Sequence, residues 1–545
     1  MRINKFLFVV ILISIVVNSF AQNIDSLFNR FVADFTRPEE SQFTEKNKCG
    51  FILLNEVFQN RSRFSANQQE QIFKISSRPS MDTSFVSPQG YFRIHFYKSP
   101  DLSPQFDVDK FAIIADSVYD FEILQLGYPV PMSDNNLGGD SKYDIYILPI
   151  SDWGTTIPDF QTENTKQSSF IKFDNDFSRK RTPGWDGIRI TIAHEFHHAI
   201  QIGGYGFFYR DAYYHEITST SMEEFFCDRA NDYYWEIPKY LKRTYKRISL
   251  PNNVGYDRTI FNLFLKENFD IDIIKKVWEY MGEGNRAMIA VNKALQNYGS
   301  NFETAFAQFG KWCYFTGSRS KIGKYFEEAA SYPMLQSFLT YYVDNQHYLI
   351  SDLMINTEPA SNTFVTVIDT LNNNYRKFDF LFSNTDYSNA DNYSTSNNTS
   401  LKFSFANYQF PNARELKSNY YSYFTCLSDN LISETKFYND DLLNRNNINT
   451  EELYPFPQPF VYSKYTTLII PLPEDFNSKV TLKIFSVSFE LIFDSERTVL
   501  KSSEKKYISW NCLDNRNKKL STGIYFYVVN WNGNLIKNKF AVIND

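Results

Sequence analysis

Histidine is scarce in this chain, six in 545 residues, and cysteine is scarcer at five. The cysteines, Cys49, Cys227, Cys313, Cys426 and Cys512, form no close pairs. That excludes zinc-finger spacing and a disulfide-dense scaffold, and the odd count leaves at least one thiol unpaired or intermolecular. Cys227 and Cys313 lie in apolar helical contexts and read as buried thiols. Cross-links Cys49–Cys313 and Cys49–Cys227 both stay open. There is no basic stripe or arginine-rich tract, so nucleic acid is not an expected partner. Lys and Arg number 56 against 62 Asp and Glu, a net charge of −6. Beyond the first twenty-one residues no run is long and apolar enough to span a bilayer.

What is present begins with a leader. Arg2 and Lys5 precede the apolar run Phe6 to Val17, broken only by Ser14. Ser19-Phe20-Ala21 then places small residues where a signal peptidase reads them, so residues 1–21 are expected to be an export signal. Its loss would leave Gln22 first and a net charge of −8, since the leader holds two cations and no acid. No cysteine follows it, so a lipid anchor is not expected. The remaining length suits three or four domains, and 43% hydrophobic content is ample for cores. The chain is expected to be a monomer.

Four of the six histidines fall within twenty-two residues: His194, His197, His198 and His215. Three of them sit in His194-Glu195-Phe196-His197-His198, the pattern H-E-x-x-H. With so little histidine, this pattern arises by chance in roughly one chain in a hundred or fewer. Residues four apart share a helix face. His194 and His198 can therefore offer two imidazole nitrogens to one metal, with Glu195 one step round, near a bound water. Zn2+ suits imidazole and carboxylate ligands with one position left open. The context predicts a helix N-capped by Asp186 and ended by Gly203-Gly204. His197 lies off the shared face and reads as a packing or supporting residue.

The next helical stretch runs from His215-Glu216 to Phe226. Here the chain resembles gluzincin metallopeptidases, in several of which the third ligand is a glutamate opening a helix of the form E-x-x-(small)-x-x-x-E. Glu216, Ser219 and Glu223 match that form and share one helix face. The resemblance implies His194, His198 and Glu216 as metal ligands, with Glu223 behind Glu216. The gap of seventeen residues after His198 is slightly short, so Glu223 and Glu224 stay open as alternative ligands. A group of secreted bacterial metallopeptidases is similar over about residues 40–345. The shared pieces are Ser87 to Phe96, Leu126-Gly127-Tyr128-Pro129, Tyr143 to Ile147, the histidine motif, the Glu216 helix, and Gly255-Tyr256 leading into an amphipathic helix. This chain departs from them at Ser221, where that group often has Trp.

The pattern along the chain is mostly helical over 22–85, an N-terminal segment readable as a prosegment or as a structural lead-in. Strands are expected at Tyr91–Tyr97, Tyr143–Leu148 and Ser168–Phe173. Ser169–Phe173 is a candidate active-site edge strand that would pair with extended substrate. Helices follow from Gly187 to about Asn345. The fold class implied is α+β: a zincin-like catalytic domain over 86–348, mixed sheet plus helical lobe, followed by two β-sandwiches. The first, an accessory domain over 349–452, contains a polar loop from Thr385 to Ser400. The second, 453–545, shows strand alternation at Val480, Leu482 and Ile484 and again over Ile524 to Val529. It resembles the C-terminal sorting domain of the type IX secretion system of Gram-negative bacteria. Tyr454-Pro455, Trp510, Ser521 to Tyr527 and Lys539-Phe540 carry the resemblance; Phe456 and Phe489 depart from it. This implies export through the periplasm to the surface or medium, with the type IX machinery as a partner.

The expected activity is hydrolysis of protein or peptide substrates by a zinc metallopeptidase. Glu195 would be the general base, and Tyr256 is the first candidate for the donor to the oxyanion, ahead of Tyr214 and His215. The alternative is a secreted adhesin or glycan-binding protein carrying a vestigial peptidase domain; the intact Glu195 counts against it. Zinc-dependent hydrolysis of a non-peptide amide is a lesser option.

Overall fold

The computed structural model describes residues 24–35, 48–159, 166–249, 255–343, most of 349–406, the strands within 412–437, and 455–545 apart from short stretches. The leader and Tyr454 lie outside the described residues. The fold is α+β. The chain divides into two compact units, one holding residues 1–403 and 413–439, the other 404–412 and 440–545.

The first unit is built on a five-stranded mixed sheet. Its strands are β1 (Thr83–Val86), β2 (Phe92–Phe96), β3 (Tyr143–Leu148), β4 (Gly154–Pro158) and β5 (Ser169–Asp174), in the order β1-β2-β3-β5-β4. β2, β3 and β5 run parallel, while β4 returns antiparallel to β5 at the edge. The expected edge strand 169–173 is therefore interior, and β4 is the edge. Sequence alternation could not show this, because order in a sheet is set by crossovers and not by periodicity.

Alternation does decide which residues face each side of the sheet. Ile145, Ile147, Ile171 and Phe173 face one core with the helices α4 (Val108–Tyr119) and α5 (Gly184–Ile200). Tyr146, Ile157 and Phe170 face the other side. There they meet Phe31 of helix α1 (residues 24–35), Leu54 and Val57 of α2 (Phe51–Gln59), and Ile72 of α3 (Ala66–Ser76). Among the described residues of the N-terminal segment, these three helices match the expected helical pattern and pack on the back of the sheet.

α5 is buried from Gly187 to Ile200 except for Arg189, so it is a central helix and not an amphipathic surface one. Its N-cap is Pro183, not Asp186, which sits in the first turn where its charge favours the helix dipole. Gly203 and Gly204 do not end it: a π-turn continues over Gln201–Tyr205 and stops at Gly206, φ 107°. α6 (Ala212–Phe226) packs on α5 and is buried from Tyr213 to Glu224. α7 (Ile237–Leu241), α8 (Thr259–Asn268), α9 (Asp272–Gly282), α10 (Ala287–Gln296) and α11 (Phe302–Tyr314) complete the helical lobe. Helix ends earlier than the expected Asn345, since a strand occupies Leu339–Val343.

A second sheet follows, in which Ser361–Asp369 pairs with both Leu339–Val343 and Arg376–Asn384. Phe364, Leu381 and Ala390 join the core of the helical lobe. Tyr314 Oη donates to Asp379 Oδ2 at 2.6 Å. The boundary expected at 348–349 thus separates no cores. Cys49, Cys227, Cys313 and Cys512 are free thiols, so neither cross-link of Cys49 forms.

The second unit has its own core, in which Val480, Leu482, Ile484, Trp510, Tyr527, Val529 and Phe540 are buried. A five-stranded sheet contains Lys479–Phe485, Gly523–Trp531 and Asn534–Ile543; a three-stranded sheet contains Leu468–Leu472 and Lys505–Trp510. No helix among the described residues is long and apolar enough to cross a membrane.

Candidate metal centre

One turn of α5 separates His194 from His198, and their Nε2 atoms lie 3.1 Å apart. α6 crosses α5 so that Glu216 Oε2 sits 3.2 Å from His194 Nε2 and 3.5 Å from His198 Nε2. Three donors about 2.05 Å from a tetrahedral zinc would be spaced by roughly 3.3 Å. The observed triangle fits that ion. Glu216 is fully buried; its Oε1 has no hydrogen-bond partner, and its Oε2 faces the two imidazole Nε2 atoms. An ionised carboxylate left so costs several kcal/mol, by order of magnitude, unless a cation is present. The donor set therefore suits a divalent ion of the zinc type.

Each ring is held from behind. His194 Nδ1 donates to Glu223 Oε1 at 2.7 Å. His198 Nδ1 donates to Gln201 Oε1 at 2.8 Å, with Ser219 Oγ 3.1 Å away. These partners fix the tautomer that leaves Nε2 free to ligate. Gln201 is itself anchored, its Nε2 donating to His215 O at 3.0 Å. Burial would pull the His194 imidazolium down, but Glu216 and Glu223 outweigh it and carry the group up to about 10.

Glu195 follows His194 and meets the edge strand. Thr156 Oγ1 lies 2.8 Å from Glu195 Oε2 and 2.7 Å from the Glu195 carbonyl oxygen. This needs β4 to ride close over α5. A Cβ at Gly154 would lie 2.8 Å from Glu195 Cγ and 3.0 Å from Thr191 Cγ2. Only glycine fits there without displacement.

Tyr256 lies beside the site, its ring 6.0 Å from that of His194. Its approach depends on Gly255, at φ 91°, where a Cβ would lie 2.3 Å from the Tyr213 carbonyl oxygen. The Tyr256 hydroxyl accepts from the backbone N–H of Cys49 at 3.2 Å. Of the two lower-ranked donor candidates, the Tyr214 hydroxyl donates to Asn262, and His215 Nδ1 donates to Gln201. Of the alternative ligands, Glu223 supports His194, and Glu224 groups with Asp228 and Glu328. His197 packs away from the centre and pairs with Glu122 at 2.7 Å. Burial holds that pair neutral, pushing the carboxyl well up and the imidazole well down.

Sequence reasoning missed three participants. Thr156 and Gln201 carry no motif, although Gln201 stands one helical turn past His198. The third is Cys49. One donor atom from each of Cys49, His194, His198 and Glu216 lies within 4.8 Å of the other three.

No protein-family model matches this chain, and no curated protein does. Two solved structures from Porphyromonas gingivalis are weakly similar at 12% identity. One is PorZ, a surface component of the type IX secretion system, covering 35% of this chain and 38% of its own, with TM-score 0.13. The other is dimeric latent PorU, covering 36% of this chain and 20% of its own, with TM-score 0.16. The chain therefore spans well under half the length of either, and at these scores neither likeness bears on its function.

Proposed function

We propose that this chain is a secreted zinc metallopeptidase with a zincin-like catalytic region. The observation that carries the reading is the Nε2–Nε2–Oε2 triangle of His194, His198 and Glu216, with Glu195 beside it on the same helix. The antiparallel edge strand β4 lying over α5 also supports it. Zinc held by those three residues would polarise a water and a scissile carbonyl. Thr156 steadies one oxygen of Glu195, and the other takes the proton of the attacking water and returns it to the leaving amine nitrogen. The Tyr256 hydroxyl, freed from the Cys49 amide, donates to the oxyanion. The buried walls exclude competing solvent.

The second unit is proposed as a β-sandwich sorting domain read by type IX machinery. Its separate core and the sequence pieces named above support that role. Metal analysis paired with a casein digest, with and without chelator, tests the catalytic reading. One zinc per chain is expected, and whatever cleavage the chain shows is expected to be chelator-sensitive. A zinc-free, inert protein would favour the adhesin alternative.

A further inference from the structure

The metal cluster is closed to substrate. His194 and Glu195 are 1% exposed, and His198 and Glu216 are 0% exposed. What covers them is a short strap, Lys48-Cys49-Gly50, leading into α2. The strap lies along the outer edge of β4: Cys49 bridges Gly154 in parallel, and the Trp153 N–H donates to the Lys48 carbonyl at 3.2 Å. That edge is where an extended peptide would add by main-chain pairing. Two further groups hold the strap down. Phe51 stacks flat on His198, centroids 3.9 Å apart. Lys48 Nζ bonds Asp232 Oδ2 at 2.8 Å and also Glu223, the carboxylate that orients His194.

Resting on the metallopeptidase reading, we propose that residues 48–50 form an inhibitory latch in which the Cys49 thiolate is a fourth ligand to the metal. Two independent observations place it there. Cys49 Sγ converges with the three donors. The buried Glu216 carboxylate, whose Oε1 has no hydrogen-bond partner and whose Oε2 faces both imidazole Nε2 atoms, points to a cation in the same space. Sulfur completes a tetrahedral set of two imidazoles, a carboxylate and a thiolate. The thiol proton leaves to solvent as the ligand binds. The latch fills the open position and the β4 edge together, and it occupies the Tyr256 hydroxyl. An extended peptide enters only when residues 48–50 are displaced.

The test is cobalt substitution of the full chain, comparing wild type with Cys49→Ser and Cys49→Ala. A thiolate-to-cobalt charge-transfer band in the near ultraviolet is expected in wild type. It should vanish in both variants while one cobalt per chain remains. With the latch loosened, zinc-loaded variants should gain at least about tenfold in peptide hydrolysis, as the competent fraction rises. A wild-type chain that binds one cobalt without the band overturns the latch and leaves the metal reading intact. This arm needs no variant and so survives misfolding of either substitution. A band that persists in Cys49→Ser also overturns it, as does loss of the band with no gain in hydrolysis. Failure of wild type to bind cobalt overturns both.

Discussion

His194 Nδ1 donates to Glu223 Oε1 at 2.7 Å, and the other oxygen of the same carboxylate receives the ammonium of Lys48. One buried carboxylate therefore orients the His194 ring and anchors Lys48. Because it bonds Nδ1, the ring nitrogen other than the one in the Nε2–Nε2–Oε2 triangle, its expected role is support of the ring. Glu223→Gln should keep the metal but weaken its affinity by roughly ten- to a hundredfold. His194→Ala and His198→Ala should abolish stoichiometric zinc, and Glu216→Ala should weaken it. Elemental analysis and competition with a chromogenic chelator measure both effects. Full zinc retention in the last three variants would refute the ligand set.

Glu195→Gln is expected to bind metal and fold as wild type while hydrolysis falls by about a hundredfold or more, because an amide cannot take a proton from water. The comparison belongs in a background with the strap released. Near-normal turnover in that variant would assign the base elsewhere.

Gly154→Ala should destabilise the protein by about 1–3 kcal/mol through overpacking, since its Cβ would lie 2.8 Å from Glu195 Cγ. A urea titration measures this. An unchanged midpoint would mean that β4 does not ride as close to α5 as the structure places it.

Acid should weaken the fold through Asp232. Burial alone would raise this carboxyl, but Lys48 and Arg181 outweigh it and hold it well below the ordinary carboxylate range. A group with a depressed folded value stabilises above its unfolded value and loses that contribution as pH falls through the folded one. The advantage of wild type over Asp232→Asn in thermal midpoint should therefore be full at neutral pH. It should shrink as pH drops below about 4. A pH-independent difference would refute the assignment.

Removal of everything after residue 452 should leave a folded, metal-binding first unit, because the C-terminal core contains only its own residues. In a host with type IX secretion, the truncated protein should stay in the periplasm. Normal levels in the medium would remove the sorting role.

Local pattern reached the elements that local physics specifies. The spacing of His194, Glu195 and His198 needs only a helix to share one face, and the strands Phe92–Phe96 and Tyr143–Leu148 fall where alternation puts them. The pairing of Val480, Leu482 and Ile484 into a separate core was equally legible, because strand burial repeats every second residue. What lay beyond reach depended on long-range crossings. Neither the interior place of Ser169–Asp174 nor the edge place of Gly154–Pro158 is written in either strand. That Glu216 lies beside both Nε2 atoms while Glu223 meets Nδ1 depends on how α6 crosses α5, since both lie on one helix face. The sharing of one core by the helical lobe and the strands after 349 is a packing outcome, not a pattern. Cys49 is the clearest case. A single cysteine 145 positions before His194 carries no local signal, and only the fold brings its sulfur to the two histidines.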